Sequence, residues 1–132
     1  MKLLWLIPFL FATSAQAYTG QELRGDCQAA DEIYSGQKSS DPFHAIRSAR
    51  CIAYVAGFAD SYGVSDYLAE QVGIKLNAFC LPKDSDLSMR LVRAVVIHVE
   101  RVPPNTTVSP ATLVAGALAK AFPCSDSLES KK

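Results

Sequence analysis

Residues 41–58, DPFHAIRSARCIAYVAGF, decide the fold class. Asp41-Pro42 is a helix-start pair, a capping acid ahead of a residue whose fixed φ suits the first helical position. From Pro42 onward Phe43, Ile46, Arg50, Tyr54, Gly57 and Phe58 recur at steps of three and four, with Ala49 and Ala53 beside them, which is the helical period and not that of a strand. The stretch reads as a helix beginning at Pro42, with one apolar and partly small face that packs closely on a neighbour. A mid-helix glycine such as Gly57 costs about 1 kcal/mol against alanine, so core packing or a dimer seam is expected there. Asp60 falls near the expected carboxyl end, where the macrodipole disfavours a negative charge; it needs a compensating donor or a helix that runs on past it.

Outward from this stretch the pattern stays helical. Thr19-Gly20-Gln21-Glu22 has the capping-box form and starts a short first helix carrying Leu23 and Cys27. Ser35 to Ser40 is a polar linker containing Gly36. After Tyr62-Gly63, Ser65 to Val72 forms a further helical piece ended by Gly73, with weaker apolar spacing. Ser85 or Asp86 caps a third helix carrying Leu87, Leu91, Val95 and Val99. The run Val95 to Val99 also suits a buried strand, but the four-residue ladder favours helix. Ser109-Pro110 repeats the cap-plus-proline start, and Leu113, Val114, Ala117, Leu118 and Ala121 form a fourth apolar stripe halted by Pro123. The expected architecture is a small all-α, disulfide-braced bundle of four or five helices.

The chain has 132 residues, 49% hydrophobic and 20% charged, with thirteen basic and thirteen acidic residues giving zero formal charge. That balance fits one globular domain and lacks the basic excess of a nucleic-acid binder. Residues 1–17, MKLLWLIPFLFATSAQA, run from Lys2 through an apolar stretch to Ala15-Gln16-Ala17, the order of a cleavable export signal, and the apolar run is too short to span a bilayer. Cleavage is expected after Ala17, leaving residues 18–132 as a single domain exported to the periplasm and free of the membrane. Cys27, Cys51, Cys80 and Cys124 all lie in the exported part and read as two disulfides. No close C-x-x-C pair suggests a metal. An antiparallel pairing of the third and fourth helices brings Cys80 to Cys124, and Cys27 on the first helix meets Cys51 early in the second.

No H-E-x-x-H, G-x-S-x-G, dinucleotide-binding or Walker motif occurs, so neither a catalytic residue nor a metal or cofactor site is expected. His44 and His98 lie on different helices and read as ordinary, partly exposed side chains. Asp31-Glu32 and Asp84 with Asp86 flank helix termini and suit structural roles. Arg90, Arg93 and Arg101 line an outward stripe of the third helix. With Tyr62 and Tyr67, Arg90 and Arg93 are the candidate partner contacts, since arginine and exposed aromatics anchor interfaces.

The run Cys51-Ile52-Ala53-Tyr54-Val55-Ala56-Gly57-Phe58-Ala59-Asp60, then Cys80-Leu81-Pro82, then Ala117-Leu118 with Phe122-Pro123-Cys124, resembles the Rap/Tai family of type VI secretion immunity proteins. Cys27 fits the same pattern, and the likeness runs from about Leu23 to Cys124. The resemblance implies a periplasmic, helical, often dimeric protein that binds a peptidoglycan amidase effector and blocks its active site without catalysis of its own. Within it the cysteines and the Tyr54, Gly57, Asp60 cluster look like scaffold. Where that family often has histidine-proline after the third helix, this chain has Arg101-Val102-Pro103-Pro104. A small periplasmic acid or stress chaperone is the rival reading; it requires exposed apolar surface or a switch through His44, His98 and the carboxylates.

Overall fold

The computed structural model describes residues 17–125, which form four helices and no strand. The leader expected over residues 1–17 lies outside the described residues apart from Ala17, as do residues 126–132. The helices are α1 (Gly20–Tyr34), α2 (His44–Glu70), α3 (Leu87–Glu100) and α4 (Pro110–Ala121).

The first and last helices begin as their sequences require. Thr19 Oγ1 accepts from the Glu22 N–H, and Glu22 returns the bond by accepting from the Thr19 N–H at 2.8 Å. The bond from the Thr19 N–H, and then one from the Thr19 hydroxyl at 2.9 Å, hold the Glu22 carboxyl below its ordinary range. Ser109 Oγ accepts from the Thr112 N–H, with Pro110 in the first turn. At α2 the Asp41 carboxylate accepts from the Phe43 N–H, but residues 42–43 form a turn and the helix proper begins at His44. Neither Ser85 nor Asp86 caps α3 through its side chain.

Two expectations about α2 are corrected. It does not break near Gly63 but runs through it as one helix of 27 residues, about 40 Å at 1.5 Å per residue. Most of the separate piece expected over Ser65 to Val72 is its last stretch, with Gln71 and Val72 in the turn beyond, so Asp60 lies within the helix and is exposed, relieved of the carboxyl end that would disfavour it. The stop comes at Gly73, where φ is 78°: the Gly73 N–H bonds to Glu70 O and the Ile74 N–H to Ala69 O, a Schellman closure.

The second correction concerns the face. The buried residues of α2 are His44, Ser48, Cys51, Val55 and Ala59, whereas Phe43, Ile46, Ala49, Arg50, Ala53 and Gly57 are exposed. Of the expected stripe only Tyr54 and Phe58 pack, half-buried, against the core; the rest faces outward because Cys51 must face α1, and Val55 and Ala59 follow it around the helix at four-residue steps. Around this face α1 packs most extensively on α2 and also on α3, which in turn packs on α4. Leu23, Val55, Val92, Val95, Val99, Val114 and Leu118 fill the core at 1% exposure or less. Gly20 lets the starts of α1 and α4 approach, since a Cβ there would stand 2.9 Å from Leu113 Cδ1 and 3.0 Å from Val108 O.

Cys27 bonds to Cys51 and Cys80 to Cys124, each with Cα atoms 5.0 Å apart. The first bridge clips α1 to α2. The second joins the segment ahead of α3 to the end of α4, where the Cys80 N–H also bonds to Phe122 O at 2.8 Å.

Candidate functional site

The first bridge brings together the residues that precede its cysteines. Asp26 is 1% exposed, yet its carboxylate is fully engaged: Arg50 Nε donates to Oδ2 at 2.8 Å, Arg50 Nη2 to Oδ1 at 2.9 Å, and the Tyr18 hydroxyl to Oδ2 at 2.8 Å. The Arg50 guanidinium lies 5.7 Å from the centre of the Tyr18 ring, which packs against Tyr54 at 5.0 Å. Burial, and then the bond to Asp26, push the Tyr18 hydroxyl well above the usual phenol range, and burial raises that of Tyr54. The bond to Asp26 raises Arg50 further above its already high value. Tyr54 is thus a half-buried packing residue. Gly57 is exposed, with nothing within 4 Å of where a Cβ would stand, so core packing does not account for it.

The four candidate contacts are not brought together in one patch of free side chains. Tyr62 lies on α2, not in a loop; its ring stacks on buried Phe79 at 3.9 Å and its hydroxyl accepts from the Ala78 N–H at 2.8 Å. Arg90 pairs with Asp84 and lies over the Phe122 ring, and Arg93 bonds to Asp31 at 3.1 Å. Asp31 therefore links α1 to α3, while Glu32 bonds to His44 Nε2 at 2.7 Å. His44 is buried at 7% exposure, a correction to its expected place at the surface. Tyr67 alone of the four is a free and largely exposed side chain.

Tyr67 belongs to a larger surface that periodicity did not single out. Beyond Ala59 no residue of α2 is buried, and Val64, Tyr67, Leu68, Val72, Ile74 and Leu76 are all exposed. The segment after the helix folds back along it, held by Tyr62 and by the Leu76 N–H bond to Asp66 Oδ1. The result is an apolar surface on the end of α2 that overhangs the bundle, beside Asp66 and Glu70. Contiguous exposed apolar surface of this kind marks interaction sites on folded proteins. Among the described residues no three of His, Cys, Asp and Glu gather closely enough to hold a metal ion, and all four cysteines are in disulfides. No helix of the described residues is long and apolar enough to cross a membrane.

The helical order, both bridges and the terminal Cys124 lie within the span that matches a model of the Rap1a immunity proteins, residues 19–124. The chain belongs to that family. No curated protein and no solved structure matches it. The match opens on the Thr19 cap of α1 and closes on the second disulfide.

Proposed function

We propose that this Rap1a-family protein is a periplasmic immunity protein that binds a peptidoglycan amidase effector of a type VI secretion system and occludes its active site. Family membership over residues 19–124 carries the reading. The scaffold suits it: inhibition by occlusion needs a rigid complementary surface with a few anchors, and two disulfides give a small bundle that rigidity. Paired thiols also suit an oxidising compartment, in keeping with export through the leader at residues 1–17. Tyr67 and its apolar neighbours on the overhang are the anchors; Arg90 and Arg93 act from the rim and Tyr62 by holding the overhang in shape. The protein performs no catalysis and works as a homodimer, joined through the outward stripe of α2 around Ile46, Ala53 and Gly57.

Co-purification from a periplasmic extract tests this reading. One stoichiometric amidase, inhibited on binding, is the expected result. A broad set of unfolded clients held at low pH would instead support the chaperone reading, which the exposed apolar overhang also favours.

A further inference from the structure

A second surface lies between α3 and α4. Ala94, Ile97, His98 and Arg101 face Ala117, Lys120 and Ala121 across a groove of about 240 Å³, room for one or two aliphatic side chains. Its floor is apolar, with Ala117 buried and Ile97 left 50% exposed. Gly116 shapes it: a Cβ there would stand 3.1 Å from His98 Nε2, so glycine lets the imidazole lie closer to α4 than a side chain at this position would. Neither nitrogen of His98 has a hydrogen-bond partner among the described residues, and neither Arg101 nor Lys120 has an ion-pair partner among them. Among the described residues no carboxylate lines the groove. Every other arginine on α2 and α3 bonds to an aspartate, so Arg101 stands apart from its neighbours. The positive field is felt within the groove, since burial, then Lys120 and Arg101, hold the His98 imidazole below its ordinary range.

We infer that the α3–α4 groove is a docking site for an acidic segment of a protein partner, which inserts an aliphatic side chain against Ala94, Ile97 and Ala117 and sets carboxylates against Arg101 and Lys120. Charge complementarity selects this occupant: an apolar slot whose charged described residues are Arg101 and Lys120 repels a basic segment and steers an acidic one. The inference rests on the reading of the chain as an effector-binding protein and adds where and by what chemistry part of that partner is held.

The probe is the peptide Ac-Glu-Leu-Leu-Glu-NH2 against its uncharged counterpart Ac-Gln-Leu-Leu-Gln-NH2, titrated into the full mature protein and followed by two-dimensional NMR. Saturable shifts confined to Ala94, Ile97, His98, Ala117 and Ala121 are expected, with the uncharged peptide at least about tenfold weaker. Arg101→Glu with Lys120→Glu should abolish them, and Ala121→Trp should fill the groove while leaving its charge intact. Equal binding of the two peptides, shifts on the α2 overhang instead, or indifference to both variants would overturn the assignment. So would a change from dimer to monomer in the Arg101→Glu, Lys120→Glu protein by sedimentation, which would give the groove to a second copy. Groove shifts caused by Leu128→Ser in the free protein would give it to the chain's own end. Protection of cells against an exported amidase decides the immunity reading separately: full protection by the doubly substituted protein retires the groove and leaves that reading standing.

Discussion

At Asp26 a carboxylate is shut away from water and satisfied by three donors, two from Arg50 and one from Tyr18. Half of the arginine side chain remains in solvent, so its own desolvation is modest, whereas the aspartate depends on it. Arg50→Met should therefore lower the urea midpoint clearly, since it strands a buried charge, while Asp26→Leu with Arg50→Met should recover much of the loss. A double change no better than the single would overturn this account. His98 gives a pH dependence of definite sign. Its folded value lies below the unfolded 6.5, so both states are neutral at higher pH and the unfolded state takes the proton first as pH falls. Stability should be full above about pH 7 and decline as pH drops through 6.5 and below, and His98→Gln should remove that part of the decline in thermal melts. The Asp26–Arg50 pair was within reach of the sequence: once Cys27 is paired with Cys51, the residues before them become neighbours. Nothing in the sequence marks His44 as buried, because its partner Glu32 lies across a linker.

Among the elements, local punctuation located the outer helices and the end of α2, but not the start of α2 at Pro42 or a cap on α3. The caps at Thr19 and Ser109 and the stop at Gly73 each act through bonds within one turn, and each stands in the structure where the sequence puts it. The length of α2 was not legible, because Gly63 resembles a break although its site has open space around it, and Phe79, from outside the helix's own sequence, stabilises it by stacking on Tyr62. The face of α2 was misleading for a related reason: apolar count favours the stripe through Phe43 and Ile46, but Cys51 fixes the opposite orientation. Gly63→Ala should raise stability by up to about 1 kcal/mol, measured by thermal melts, since a Cβ meets nothing there and helix propensity improves. Gly73→Ala should lower it by about as much, its φ of 78° being unfavourable to a side chain. On the proposed dimer seam, Gly57→Leu should yield a monomer by light scattering with unchanged helical circular dichroism; an intact dimer would place the seam elsewhere.

For the whole molecule, the two bridges brace opposite parts of the bundle, and each closes a long loop, with sequence separations of 24 and 44. Chain-entropy estimates for loops of this size give about 3–4 kcal/mol each. Replacing Cys27 and Cys51 together by alanine, or Cys80 and Cys124, should lower the denaturation free energy by about that amount, with the longer loop losing more. A loss well under 1 kcal/mol for either pair would mean that packing alone holds the bundle.

The bridges also join cysteines strictly in chain order, first to second and third to fourth, with no crossing. On the proposed export route, a thiol oxidase that links sulfurs as they emerge through a translocation pore reaches the native connectivity on its first pass. Maturation should thus be indifferent to loss of a disulfide isomerase and highly sensitive to loss of the oxidase.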